Sequence, residues 1–196
     1  MLPRQNSQIQ LNKQVLRKQL LAARNNLASQ ELEVCSAKIM QQLQQVPELE
    51  KAQTIMGYLA FGKEISVDGL LTEFLQVGKR VCVPFIKDTA SNLIEAIYLS
   101  NLKAVEIGEF GIRVPKQIAT CGPKQLDVIL VPGLAFATNG SRLGLGKGYY
   151  DRFLPKAPNA VYIGVAAEYN LLEFLPVTNQ DVTMHYIVTE TRIIKL

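Results

Sequence analysis

Apolar positions recur at helical spacing in the first quarter of the chain. Between Ile9 and Leu27, the residues Val15, Leu16, Leu20 and Leu27 form an apolar stripe, which predicts an amphipathic helix. Residues 1–8 carry no such pattern and are expected to be disordered. Ser29 is placed to cap a second helix carrying Leu32, Ile39, Leu43 and Val46, with Pro47 as its stop. After that the period shortens. Thr54 to Phe61 reads as a strand, Val67 to Val77 as a helix ended by Gly78, and Val81 to Ile86 and Ile94 to Leu99 as strands. A long irregular stretch leads to Gly122 and Pro123. The run Leu126 to Val131 is nearly continuous in apolar residues, as suits a strand buried on both faces of a parallel sheet, and Pro132 and Gly133 stop it. A glycine-rich loop covers Asn139 to Gly148, and a helix is expected to start near Gly148. A further buried strand spans Val161 to Ala167, followed by short strands near Tyr186 to Thr189 and Arg192 to Lys195. Strands alternating with helices predict one three-layer α/β domain over residues 9–196.

Composition narrows the functional classes. A chain of 196 residues with 48% apolar content suits one domain with one core. The 21 basic and 17 acidic residues leave a net charge of +4, a mild excess that suits the handling of anions. No continuous basic tract marks a nucleic-acid surface. Cys35, Cys82 and Cys121 are odd in number and lack metal or redox spacing, so three reduced, mostly buried thiols are expected. No apolar run reaches the roughly 18 residues of a membrane span. Met1 to Gln14 is polar and lacks the apolar core of a signal peptide, so a cytoplasmic location is expected.

The chemistry concentrates between Pro132 and Asp151. This segment follows a buried strand and precedes a helix, which is where open α/β sheets bind ligands. Gly140, Gly144, Gly146 and Gly148 allow close backbone approach and positive φ. Successive backbone N–H groups in such a loop can converge on an anion, and the following helix start adds partial positive charge. Arg142 offers a planar fork for phosphate oxygens and Lys147 a mobile point charge. Asp151 falls in the first helical turn, and a metal ion shared with a phosphate is the simplest reason for a carboxylate there. The spacing is neither that of a dinucleotide fingerprint nor that of a P-loop, since GxGxG is one residue short and no Ser or Thr follows Lys147-Gly148. A tight structural turn would use the same glycines. Four glycines, two cations and an acid within the twelve residues from Gly140 to Asp151 favour the anion loop.

The string Leu130-Val-Pro-Gly-Leu-Ala-Phe136, followed by Gly140-x-Arg-Leu-Gly-x-Gly-Lys-Gly-Tyr-Tyr-Asp151, closely resembles the signature of the 5-formyltetrahydrofolate cyclo-ligases, also called methenyltetrahydrofolate synthetases. The likeness extends to Lys13 and Arg17, the Tyr58 to Ile65 segment, Val83-Pro84, Gly111 to Pro115 and Val188-Thr-Glu. It implies a three-layer α/β/α sandwich of the ribose-phosphate isomerase and CoA-transferase type. It also implies an enzyme acting on folate and ATP; a monomer with no nucleic-acid or membrane partner is expected. The implied reaction is the ATP-dependent cyclisation of 5-formyltetrahydrofolate to 5,10-methenyltetrahydrofolate.

The resemblance assigns roles by position. Lys13 and Arg17, four apart and so on one helical face, match contacts to ATP phosphates; Arg24 lies near the same face. Arg142, Gly144, Gly146, Lys147, Gly148, Tyr149 and Tyr150 match the ATP loop, with Arg142 and Lys147 as the catalytic cations. Leu145 to Tyr149 also face the folate in that family, together with the positions of Leu59 and Glu64. Asp151 and Asp181 match ligands of Mg²⁺. Two positions depart from the pattern: Leu145 stands where a cation is frequent, and His185 where an acid is frequent. His185 reads as a lone histidine in a polar niche rather than as a catalytic group. Two other readings remain open at this stage. One is a different enzyme on the same scaffold, and the other is a phosphate- or RNA-binding module using the basic first helix.

Overall fold

The computed structural model describes residues 3–196, with side chains from Ser7 onward. The helices are α1 (Pro3–Asn25), α2 (Ser29–Leu43), α3 (Pro47–Lys51), α4 (Asp68–Gln76) and α5 (Tyr149–Phe153). The strands are β1 (Thr54–Met56), β2 (Arg80–Asp88), β3 (Leu93–Tyr98), β4 (Val105–Ile107), β5 (Arg113–Pro115), β6 (Thr120–Cys121) and β7 (Val128–Pro132). They continue with β8 (Ala135–Ala137), β9 (Arg142–Leu143), β10 (Val161–Val165), β11 (Leu171–Leu172), β12 (Tyr186–Val188) and β13 (Ile193–Lys195).

Eight strands form the central sheet in the order β13-β12-β10-β7-β1-β2-β3-β6. The five from β12 to β2 are mutually parallel; β13, β3 and β6 pair antiparallel at the margins. Side chains of a strand alternate between faces, and the apolar run after Leu126 is split accordingly. Val128 and Leu130 join a core with Ile39, Leu43, Leu70 and Leu71 of α2 and α4. Ile129 and Val131 join a second core with Phe153, Leu154 and Ala157, at and just beyond α5. The fold is thus α/β with helices flanking a mostly parallel sheet, as the strand and helix alternation predicts. The α5 layer is thin, since that helix has only 5 residues.

Several boundaries differ from the sequence expectation, each for a local reason. The first helix begins at Pro3 rather than Ile9; residues 1 and 2, part of the segment expected to be disordered, lie outside the described residues. Pro47 does not stop α2 but opens α3 at its first turn, where the missing N–H costs nothing. The cap of α2 is Ala28, whose N–H is met by the Glu31 carboxylate at 3.4 Å. The strand expected through Phe61 ends at Met56. A Cβ at Gly57 would lie 2.5 Å from the Leu71 side chain, so glycine lets the chain pass close to α4 there. The stretch before Gly122, read as irregular, contains the hairpin β4–β5 and the edge strand β6.

The order of crossovers positions the site. From β1 the chain passes through α4 to β2 on one side, whereas from β7 it passes through α5 to β10 on the other. The direction of winding reverses between neighbours β1 and β7. A crevice opens beyond the carboxyl ends of strands at such a point. Residues just after β1 and β7, namely Tyr58, Leu59, Gly133 and Leu134, line one cleft.

Candidate functional site

The cleft has a volume of about 1060 Å³ and is lined by every residue to which the resemblance assigns a role, whereas Gly140 of the loop lies outside it, against Thr183 and Leu196. Six cations (Lys13, Arg17, Arg24, Arg142, Lys147 and Arg152) and three acids (Glu64, Asp151 and Asp181) line it, a local balance of +3 out of the chain's +4. The mild excess of the sequence is therefore gathered in one concavity, where low-dielectric walls focus its field on an anion.

The loop is built on a small second sheet. Strand β8 pairs with β11 in parallel and with β9 antiparallel, placing Phe136 opposite Arg142. Phe136 is fully buried, and a Cβ at Gly164 would lie 2.4 Å from its ring, so the aromatic wedges the small sheet against β10. Arg142 is held by this frame with 7% exposure. Its Nη2 donates to both Asp151 carboxylate oxygens at 3.0 Å, its Nη1 donates to the Pro132 carbonyl at 3.3 Å, and its guanidinium lies 5.4 Å from the Tyr150 ring centroid. Asp151 also accepts the Val182 amide at 3.4 Å, which ties the α5 start to the segment carrying Asp181.

Helix α1 closes this end. Of the described side chains of this helix, Leu16 and Leu20 alone pack against the apolar cluster of the small sheet, and both are partly buried. Fully burying one such side chain is worth about 1.5–3 kcal/mol, so apolar contact alone holds the helix weakly. Val15, expected in the buried stripe, is 53% exposed, whereas Lys13 and Arg24 are 3% and 8% exposed. The inward face of α1 is therefore its cationic face. Lys13 Nζ meets Asp181 at 2.5 Å, and Arg17 Nε donates to the Gly144 carbonyl at 2.9 Å. The Arg17 guanidinium lies against Gly146, whose φ of +103° a side chain would strain and whose Cβ would stand 3.3 Å from it. Arg152 Nη1 donates to the Lys147 carbonyl at 2.7 Å, fixing the loop backbone while the Lys147 side chain stays exposed.

Charge and burial act on each other here. Burial lowers the Arg17 pKa, against the opposing pull of the Asp181 and Asp151 carboxylates. Burial pushes the Asp181 carboxyl up, but the hydrogen bonds from Lys13 and Thr178 outweigh it and leave the group below its ordinary range. Among the described residues no three His, Cys, Asp or Glu side chains form a metal cluster. Asp151 and Asp181 do share the cleft, and their side chains keep 23% and 18% exposure. A pair of carboxylates of that kind suits an ion that brings phosphate oxygens as its other ligands, as Mg²⁺ does. The donor set fits such an ion and does not fit an all-protein metal cage.

The opposite end is more apolar. Leu59 and Glu64 stand there with Tyr58, Phe61, Phe110 and Ile112. Glu64 accepts the Phe61 amide at 3.1 Å and faces Arg24 at 3.6 Å; its burial raises the carboxyl pKa, opposed by that amide and by Arg24. Phe110, at the tip of the β4–β5 hairpin, is 68% exposed and has φ +58°, an uncommon conformation for a bulky residue. Arg113 anchors the hairpin through two hydrogen bonds to Asp68, at 2.7 and 3.1 Å. Sequence reasoning assigned no role to Tyr58, Phe61, Phe110 or Arg152. The usable signals were the likeness of the Tyr58 to Ile65 segment, which holds Tyr58 and Phe61, and the Phe110-Gly111 pair, an aromatic beside a glycine in a stretch read as irregular. His185 is structural: its Nδ1 accepts the Tyr162 amide at 2.9 Å and its ring stacks on Tyr162 at 4.8 Å.

Comparison with known proteins gives a consistent likeness. The model of the 5-formyltetrahydrofolate cyclo-ligase family matches residues 9–190. A 5-formyltetrahydrofolate cyclo-ligase from Mycolicibacterium smegmatis is 33% identical over 147 residues, covering 71% of this chain and 75% of its own. The solution structure of the Aquifex aeolicus 5,10-methenyltetrahydrofolate synthetase superposes with a TM-score of 0.83 at 33% identity, covering 94% of this chain and 92% of that one. A 5,10-methenyltetrahydrofolate synthetase structure from Mycoplasma pneumoniae gives a TM-score of 0.75 at 27% identity, covering 91% and 99%.

Proposed function

The chain belongs to the 5-formyltetrahydrofolate cyclo-ligase family, and from that premise we propose that it converts 5-formyltetrahydrofolate and ATP into 5,10-methenyltetrahydrofolate, ADP and phosphate. The observation that carries the reading is the two-ended cleft. Lys13, Arg17, Arg142 and Lys147 gather at one end, and a buried carboxylate among aromatic and aliphatic side chains stands at the other. A triphosphate needs the first, and a pterin with paired N–H donors needs the second.

The formyl group of the substrate is an amide carbonyl, a poor electrophile with a poor leaving oxygen. Transfer of the γ-phosphoryl group of ATP to that oxygen releases ADP. The N10 lone pair then attacks the formyl carbon, the C–O bond breaks with phosphate leaving, and N10 gives up its proton as the methenyl bridge closes. The protein's work is positioning and charge stabilisation. Lys147, exposed on the loop with its backbone fixed by Arg152, is free to follow the phosphoryl group as it moves. Arg142 cannot follow, because Asp151 and Pro132 hold it, so it offers a fixed donor at the loop's base. Glu64 accepts the pterin donors, and Tyr149 and Leu145 flank the reacting ring. Magnesium entering with the nucleotide would be held by Asp151 and Asp181 and would neutralise phosphate charge.

The same reading makes the enzyme a cytoplasmic monomer acting on dissolved small molecules rather than on nucleic acid. Its most buried cations, Lys13, Arg24 and Arg142, line the cleft instead of an outer surface. No helix among the described residues is long and apolar enough to cross a membrane. The test is direct. The protein is incubated with 5-formyltetrahydrofolate, ATP and magnesium while the methenyl chromophore and ADP are followed. Both should form in equal amounts and only with all three present. ATP turnover at full rate without folate would refute the cyclisation.

A further inference from the structure

Arg24 is a cation at the folate end of the cleft, carried by the helix that serves the nucleotide end. It lies eleven residues beyond Lys13, about three turns and about 16 Å along the helix, and so returns to the same face. It is 8% exposed, yet its Nε has no hydrogen-bond partner among the described residues. Leaving a buried donor of a charged group unpaired costs free energy, so a role for the group is called for. Its ion-pair partner is Glu64, at 3.6 Å from Nη1 to Oε1, while Lys63, which lines the same hollow, is tied to the Asn25 and Leu27 carbonyls. That is an ion-pair distance, too long for a hydrogen bond. The other Glu64 oxygen, Oε2, already accepts the Phe61 amide. Oε1 therefore keeps its lone pairs while sitting in the field of a guanidinium.

Arg24, Tyr58 and Glu64 also line a second, much smaller hollow beside the main cleft, so the pair stands in the partition between the two. On the cyclo-ligase reading above, we propose that Arg24 is a positioning residue for folate recognition. It holds the Glu64 carboxylate as the acceptor for the pterin's paired N–H donors, without itself touching the nucleotide. Burial works against an ionised carboxylate at this place, and the Tyr58 and Tyr150 hydroxyls nearby are themselves neutral groups whose pKa values burial raises. The guanidinium is the nearby charge that offsets this.

The test uses the full-length protein and measures equilibrium binding of 5-formyltetrahydrofolate and of ATP separately. Arg24→Met should weaken folate binding about tenfold, the equivalent of roughly 1.4 kcal/mol, and ATP binding by less than about twofold. Arg24→Lys, which keeps the charge, should recover part of the loss. In a Glu64→Gln background, adding Arg24→Met should change folate binding by less than about twofold, because two residues acting as one unit are not additive. Losses that multiply in the double variant, or equal weakening of ATP and folate, would overturn the inference alone. Wild-type protein that binds no 5-formyltetrahydrofolate would overturn the cyclo-ligase reading and the inference with it.

Discussion

Lys13 and Asp181 stand 168 positions apart in the chain and meet at 2.5 Å, so the first helix is fastened to the segment before the last strands by one ion pair. The lysine side chain is only 4% exposed. Such a pair is weakly screened, and removing one partner leaves a buried charge uncompensated.

A pH dependence follows. The folded-state pKa of Asp181 is lowered: burial opposes this, but the Lys13 and Thr178 hydrogen bonds prevail. The folded state therefore binds fewer protons here than the unfolded chain does. The stabilisation is present above the ordinary aspartate value of about 3.9 and is lost as pH falls through the lower folded value. Asp181→Asn should be less stable than wild type at neutral pH, and the gap should close below about pH 4 as the wild-type carboxyl protonates. Urea unfolding at a series of pH values measures this. A gap that stays constant to pH 2.5 would show that the asparagine change acts through something other than charge.

Lys147 tests the catalytic assignment. Lys147→Ala should lower kcat on the order of 10²-fold, as loss of one charge aimed at a developing phosphate does. The side chain is exposed and its backbone contact to Arg152 would survive, so unfolding free energy should change by no more than about 0.5 kcal/mol. Steady-state rates beside thermal melts separate the two effects. Unchanged turnover would leave Lys147 a solvated loop residue.

Much of this site could be read in the chain before its fold was known, because its chemistry is local. Arg142 to Asp151 is one short segment, and glycines with cations at that spacing describe an anion loop without any tertiary knowledge. The buried strand Val128–Pro132 was legible for the same reason, as an apolar run between stops. What could not be read depends on long-range packing. Val15 fits an apolar stripe, but α1 turns its cations inward because it roofs a charged cleft rather than a core. The strand from Thr54 ends at Met56, and the next residue, Gly57, lies against Leu71 of another element, a contact no local pattern announces. The Phe110 hairpin has short strands of 3 residues each, too short for any periodicity to show.

Arg17 and Gly146 form the second long-range contact of the nucleotide end. Arg17→Ala should raise the KM for ATP at least about fivefold and that for folate less, since it removes a charge proposed to meet the phosphates. Gly146→Ala should have the same signature by a different route: its φ of +103° is strained for alanine, and the new methyl would press on the Arg17 guanidinium. A change in folate KM alone, in either variant, would show that this end of the cleft does not hold the nucleotide.

The two carboxylates should differ in their hold on magnesium. Asp151 sits in the first turn of α5, beside the loop, and its charge is shared with Arg142 through two contacts at 3.0 Å. Asp181 is bound by Lys13 and, at 2.5 and 3.1 Å, by the amide and hydroxyl of Thr178, whereas the backbone contact of Asp151, to the Val182 amide, is longer at 3.4 Å. An incoming ion must compete with those partners, and the ones that hold Asp181 are closer. Phosphates can take over Arg142 and Lys13, which leaves Asp151 only the long Val182 contact, but the closer Thr178 contacts of Asp181 persist. Asp151→Asn should therefore raise the magnesium needed for half-maximal rate by about tenfold or more, and Asp181→Asn by less, since Mg²⁺ takes one or two carboxylates and fills its other positions with phosphate and water. Titrating the rate against magnesium at saturating ATP gives both midpoints. Loss of Asp151 also strips the buried Arg142 of its counter-charge, so stability must be followed in the same samples. A destabilised Asp151→Asn protein with an unchanged midpoint would make that carboxylate the keeper of Arg142 and nothing more. A shifted midpoint at wild-type stability would give it the metal.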